Sequence, residues 1–169
     1  MERDNTTVIL GVDPGTRITG YAIIRCSERY EILDFGCIRP PPQLALADRY
    51  LVIFNAIEHL IGKFQPAALS VETQFMSKNA QSTMKLSMAR GTVMLAAAKN
   101  KVSIHEYAPR KAKQALVGNG NASKEQVQRM LQALLKLSSL PEPEDAADAL
   151  ALAICHAHAS KLQNHLKKR

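Results

Sequence analysis

VILGVDPGTRITGYAIIRC, residues 8–26, decides the fold. Val8, Ile9, Leu10 and Val12 form an apolar run with the composition of a strand buried on both faces. The run delivers one carboxylate, Asp13, into a Pro14-Gly15 turn, and a second β-rich run, Ile18 to Ile24, returns from it. The spacing therefore predicts a hairpin with an acid at the end of its first strand. An acid there is ordinary turn chemistry before Pro-Gly, or it is a functional group that needs a positive partner to offset its burial.

A third strand is expected over Tyr30 to Ile38, ended by Pro40, Pro41 and Pro42. Leu44 to Phe64 repeats Leu44, Leu51, Ile53, Phe54, Ile57, Leu60 and Ile61 at helical spacing. After Pro66 a short apolar strand, Ala67 to Val71, ends in Glu72, and a long helix follows over Ala80 to Ala98. In that helix Met84, Leu86, Met88, Val93, Met94 and Leu95 are expected on or near the buried side. Val102 to Tyr107 reads as a further strand, and Pro109 suits the first turn of a short helix.

Past the Gly118-Asn119-Gly120-Asn121 loop, Ser123 and Gln126 have capping-box spacing, with Val127, Met130, Leu131, Leu134 and Leu135 as the apolar face behind them. A last helix begins near Glu144, after Pro141 and Pro143. Three consecutive strands, then alternating helices and strands, then helices predict an α/β fold with a mixed sheet flanked by helices. At 169 residues and 46% hydrophobic content the chain suits one domain with a sizeable core.

No apolar run has the roughly 18 residues of a membrane span, and MERDNTT is unlike a signal peptide, so a cytoplasmic protein is expected. Cys26, Cys37 and Cys155 lack CxxC spacing and read as buried thiols. The formal net charge of +7 points to a polyanionic partner. Basic residues cluster at Arg110, Lys111 and Lys113, at Lys124, and in a tail of Lys161, Lys167, Lys168 and Arg169.

Four carboxylates carry the chemistry. Asp13 and Glu72 end strands, while Asp145 and Asp148 stand three apart on the last helix, about 60° around its axis and so on one face. Acids brought that close repel unless a cation lies among them. An oxygen-only set favours Mg²⁺ or Mn²⁺ over zinc, and such a site suits phosphoryl transfer. Asp145 and Asp148 also occupy a helix first turn, where the macrodipole alone favours acids. His105, His156 and His158 are assigned no role.

GVDPGTRITGYAII, VETQFMSKNAQSTMKLSMARG, KQALVGNGNASKEQV and DAADALALAICHAH together resemble the RuvC family of Holliday junction resolvases. The resemblance runs from about Val8 to about Ala159, with several specific motifs in order, and leaves Met1 to Asn5 and Leu162 to Arg169 outside it. It implies a ribonuclease H-like fold with a five-stranded mixed sheet, three antiparallel strands then parallel ones, and helices on both faces. It implies a homodimeric, Mg²⁺-dependent endonuclease, with Mn²⁺ able to substitute and one or two ions per site. The activity implied is symmetric nicking of two like-polarity strands of a four-way junction, in recombination and repair, alongside the branch-migration proteins RuvA and RuvB.

By the same resemblance Asp13, Glu72, Asp145 and Asp148 are the metal-binding catalytic acids. Phe75 matches an aromatic that stacks on bases near the crossover, and Lys113 and Lys124 match residues that approach the scissile backbone, with Arg110 and Lys111 added as DNA contacts. Arg90 and Gly91 match a helix that forms part of the dimer interface. Thr73 departs from the family pattern, which has Gln or another acid after the catalytic Glu. Three rival readings follow from the residues: an actin-like or sugar-kinase ATPase on the Asp13-Pro14-Gly15-Thr16 loop, a nuclease of RNA–DNA hybrids, and a junction-binding protein without catalysis.

Overall fold

The computed structural model describes residues 6–73 and 79–166, with side chains through Gln163. Five strands form one sheet in the order β3-β2-β1-β4-β5: β1 Thr7–Asp13, β2 Thr19–Cys26, β3 Tyr30–Ile38, β4 Ala68–Glu72 and β5 Ser103–Tyr107. The hairpin is present, with β1 antiparallel to β2 and β2 antiparallel to β3. The chain then crosses over, so that β4 and β5 join the other edge of β1 in parallel. This is the three-antiparallel, then parallel arrangement that the resemblance implies.

Strand alternation divides the sheet into two faces. Leu10, Val12, Ile23 and Leu69 pack with Tyr50, Ile53 and Ile57 of α1, Leu46–Phe64, and with Ala89, Val93, Ala96 and Ala97 of α2, Ala80–Lys99. Ile9, Ala22 and Ile24 face the other way. They pack with Leu116 of α3, Pro109–Val117, with Val127 and Leu131 of α4, Lys124–Leu135, and with Leu150 and Ile154 of α5, Glu144–Leu166. Helices therefore cover both faces.

The local signals account for most boundaries. Pro109 opens α3, Gly118 ends it in the left-handed region at φ 79°, and both halves of the Ser123–Gln126 capping box are made at the start of α4. Helix α1 starts at Leu46, later than the apolar spacing implies, because Leu44 is held in a turn by its N–H bond to the Pro41 carbonyl.

Two stripes are corrected. On α1, Leu51 is 55% exposed while Tyr50, which the spacing did not single out, is buried and donates its hydroxyl to the Lys85 carbonyl. On α2, Met84, Met88 and Leu95 are 65%, 51% and 63% exposed, and Leu86 is also exposed. The buried side of α2 is instead its small residues, Ala89, Ala96 and Ala97, with Val93, which let the helix lie close to the sheet. On α4 a single position departs, Met130, which is 37% exposed. Cys26 and Cys155 are buried free thiols, whereas Cys37 is only half-buried.

Candidate active site

The register of the parallel pair brings two acids together. Gly11 lies opposite Ser70 and Val12 opposite Val71, so Asp13 and Glu72 are the next residues on adjacent strands. Both belong to the face that packs on α5, since two-residue alternation from Gly11 and Ser70 leads to them. The turn beyond Asp13 is tied by Thr19, fully buried: its hydroxyl donates to the Gly15 carbonyl at 2.8 Å and accepts from the Gly15 N–H at 3.1 Å.

Helix α5 brings the other two acids. Its contact surface is mostly alanine and leucine, and the strands beneath it carry small residues where it crosses. A β-carbon at Gly11 would meet the Ala149 carbonyl at 2.2 Å, and one at Gly20, which pairs with Asp13, would meet the Asp145 carbonyl at 1.9 Å. Ser70 anchors the helix further along, its buried hydroxyl donating to the Leu152 carbonyl at 2.7 Å. The first turn of α5 therefore lies directly over the ends of β1 and β2, with Asp145 and Asp148 close enough to act on Asp13.

Their mutual influence appears in the proton affinities. Burial pushes the Asp13 carboxyl up to about 8, and the charges of Glu72, Asp148 and Asp145 push in the same direction, against Lys124. Glu72 is raised by burial and then by Asp148, with Lys113 and Lys124 opposing. Asp148 is raised by burial, with Glu144 and Asp145 adding to the rise and Lys124 and Lys113 opposing it. All four acids thus share one electrostatic field in which positive charge is short.

Glu72, Asp148, Lys113 and Lys124 line a cleft of about 290 Å³, together with Ala112 and Leu152. Lys124 is ion-paired with Glu144, the residue that opens α5, and that bond raises the affinity of its amine for a proton. Glu144 is a member of the site that sequence reasoning passed over as one of several first-turn acids.

Among the described residues, no three His, Cys, Asp or Glu side chains stand as a closed coordination cluster. The donor chemistry nevertheless fits a hard divalent cation. Four carboxylate-bearing residues converge from two strand ends and the start of one helix, and the raised proton affinities of Asp13, Glu72 and Asp148 mark a place where a 2+ charge is favoured.

The remaining site expectations divide. Lys113 and Lys124 reach the cleft. Arg110 donates to the Asn121 side chain at 2.7 Å, which braces the Gly118–Asn121 loop, and the Lys111 ammonium lies 5.6 Å from the centre of the Tyr107 ring. Neither lines the cleft. Phe75 lies outside the described residues.

His156 is buried against Tyr107, whose hydroxyl is 2.8 Å from Nδ1, and His158 Nδ1 is 3.0 Å from the Ala115 carbonyl oxygen, so both have structural partners. Thr19, Gly20, Ser70 and Arg90 were not singled out as parts of the site. The signals in sequence were present but generic: a Thr and a Gly inside a strand, a Ser in an apolar strand, and a basic residue on a helix.

Comparison with known proteins gives one consistent answer. Residues 9–156 match the protein-family model described as "Crossover junction endodeoxyribonuclease RuvC". A curated relative of that name from Protochlamydia amoebophila is 60% identical over 154 residues, covering 90% of this chain and 92% of the relative. Another, from Marinobacter nauticus, is 50% identical over 155 residues, covering 91% and 87%.

Among solved structures, T. thermophilus RuvC in complex with Holliday junction substrate superposes with a TM-score of 0.88 at 31% identity, over 93% of this chain and 96% of that one. The yeast mitochondrial Holliday junction resolvase Ydc2 shares the fold, with a TM-score of 0.67 at 15% identity, over 95% of this chain and 83% of that one.

Proposed function

The chain belongs to the RuvC family of crossover junction endodeoxyribonucleases, and we propose that its reaction is carried by Asp13, Glu72, Asp145 and Asp148 acting on a four-way DNA junction. It is a Holliday junction resolvase, a nuclease that hydrolyses DNA phosphodiester bonds in recombination and repair. The observation that carries the assignment of residues is the adjacency of Asp13 and Glu72 on parallel strands beneath the start of α5, with the proton affinities of both raised by burial first and by neighbouring acids second.

The family uses divalent metal, and the four acids are the residues that would hold it here, with Mg²⁺ as the working ion, Mn²⁺ as a substitute, and one or two ions per site. Bound there, the metal would supply a water of lowered pKa and positive charge for phosphodiester hydrolysis, and the expected products are a 5′-phosphate and a 3′-hydroxyl. The carboxylates orient that chemistry through fixed backbone: Asp13 by the Thr19-tied turn, Glu72 by the end of β4, and the helical pair by the close seat of α5 on Gly20. Lys113 and Lys124, projecting into the same cleft, neutralise the scissile phosphate and the charge that grows in the transition state.

Two copies act together, one on each nicked strand, and the exposed Met84, Met88 and Leu95 stripe of α2 supports pairing through that helix. Phe75 helps to splay bases at the crossover, Arg110 and Lys111 add backbone contacts, and RuvA and RuvB are the partner proteins. The chain is read as one nuclease domain working in the cytoplasm. Among the described residues no helix is long and apolar enough to cross a membrane.

The deciding experiment sets a labelled four-way junction beside linear duplex and an RNA–DNA hybrid, with Mg²⁺ and with EDTA. Paired symmetric nicks confined to the junction and lost in EDTA are expected. Preferential cutting of the hybrid, or binding without cleavage under every metal, overturns the reading.

A further inference from the structure

The carboxylate of Glu72 projects toward α5, but its backbone is held from the opposite face of the sheet. The last rung to β5 is made by Thr73, whose N–H donates to the Tyr107 carbonyl at 2.9 Å. The Glu72 carbonyl itself accepts from Arg90 Nε at 3.0 Å, an arginine carried on α2. The same guanidinium pairs through Nη2 with the carboxylate of Glu106 on β5.

Register and alternation make the arrangement consistent. Glu106 lies opposite Val71 and Tyr107 opposite Glu72, so Glu106 shares the α1/α2 face while the Glu72 side chain is on the α5 face. One planar guanidinium therefore joins α2, the end of β4 and β5. The Arg90 side chain is 21% exposed and that of Glu106 41%, so water competes weakly for the bond to the Glu72 carbonyl and more for the ion pair.

We propose that Arg90 is a positioning residue for Glu72: its guanidinium, clamped by Glu106, fixes the peptide plane from which the Glu72 carboxylate projects toward the metal and the scissile phosphate. The proposal rests on Glu72 being a metal ligand, as read above. Among the described residues Arg90 does not line the cleft, and its link to the site is the bond to the Glu72 backbone. Carried on α2, it makes the placement of Glu72 depend on where that helix lies against the sheet. A group that orients a ligand from behind acts as an outer-shell partner, whose loss costs about 10- to 100-fold in metal affinity or activity.

The test uses the full chain with Arg90→Met, Arg90→Lys and Glu106→Gln, reading Mn²⁺ affinity by calorimetry, junction binding in EDTA, and single-turnover cleavage against Mn²⁺ concentration. Arg90→Met is expected to weaken Mn²⁺ binding by about 10- to 100-fold. Its cleavage at low metal should fall in step and recover as Mn²⁺ is raised, with junction binding in EDTA unchanged. Glu106→Gln, which leaves the Nε bond to Glu72 in place, should move the same way by less.

If Arg90→Met does not fold, Arg90→Lys carries the test, because an ammonium keeps the charge but lacks the rigid planar fork that meets both the Glu72 carbonyl and Glu106. An intermediate loss of Mn²⁺ affinity then supports the proposal. Wild-type Mn²⁺ affinity in a folded Arg90 variant overturns it. So does a loss of cleavage that metal does not restore and that tracks a loss of junction binding in EDTA. A wild-type protein that binds no Mn²⁺ or cuts no junction instead overturns the reading of the four acids, a result seen before any variant is compared.

Discussion

A β-carbon on Gly20 would lie 1.9 Å from the backbone carbonyl oxygen of Asp145. The conformational freedom of glycine is not the reason for this residue, since Gly20 is in an ordinary strand paired with Asp13. Its missing side chain is the space that the first turn of α5 occupies. Gly20→Ala must therefore lift the helix end that carries Asp145 and Asp148, or twist β2 away from it. Overpacking of this kind costs roughly 1–3 kcal/mol. The expected result is a lower melting temperature and a larger loss of junction cleavage than of junction binding. A Gly20→Ala protein with wild-type stability and rate would show that the helix end yields without cost.

Asp13→Asn tests the acid at the centre of the site in two ways. It should bind a four-way junction normally and fail to cut it; near-normal cutting removes Asp13 from the chemistry. In EDTA it should also stabilise. The folded Asp13 carboxyl keeps its proton up to about 8, against 3.8 as its ordinary value, so the unfolded chain binds fewer protons between those limits. Stability from this group is complete below the lower value and is lost as pH rises through the upper one. The metal-free variant should melt above the wild type at pH 8, with the gap closing toward pH 4.

Much of this was readable in the residues before any coordinates. The hairpin, the capping box at Ser123 and the Pro109 start of α3 are local signals and appear as written. Asp13 and Glu72 were legible as acids at the ends of apolar strands, although their adjacency depends on parallel pairing of β1 with β4, which no local pattern encodes. Packing choices were less visible. Apolar spacing on α2 names large residues, but the sheet accepts the alanine side of that helix, leaving Met84, Met88 and Leu95 outside. Ser70 bonds the Leu152 carbonyl, and Arg90 bonds the Glu72 carbonyl and the Glu106 carboxylate; such long-range bonds have no sequence period.

That exposed side of α2 predicts an association. Met84 and Met88 are one turn apart and Leu95 is seven residues further, so they form one stripe opposite the alanines. Met88→Glu places a charge at its centre without disturbing the protein's own core, because Met88 is 51% exposed in the single chain. Sedimentation should show a dimer for the wild type and a monomer for the variant, with thermal stability per chain little changed and the paired nicks replaced by weak, unpaired ones. A variant that remains dimeric places the contact elsewhere.

His156 predicts a pH dependence that originates away from the acids. Its ring is 6% exposed, with Nδ1 2.8 Å from the Tyr107 hydroxyl, Nε2 3.2 Å from the Ser160 hydroxyl, and the His105 ring stacked on it at 4.1 Å between centres. Burial first, and the neighbouring His105 second, hold its proton affinity down at about 4, against the usual 6.5. Between those values the unfolded chain takes up a proton that the fold refuses, so the stability from this group is complete above 6.5 and is lost as pH falls toward 4. The acid cluster slopes the other way over part of the same range, so the wild-type curve alone is ambiguous. His156→Phe keeps a ring in the space, cannot be protonated, and strands the Tyr107 hydroxyl at a cost of about 1 kcal/mol or more. Relative to the wild type it should be less stable at pH 7 and should recover most of that deficit by pH 5. A deficit that stays constant between the two shows that this ring takes up its proton as readily in the fold as in the unfolded chain.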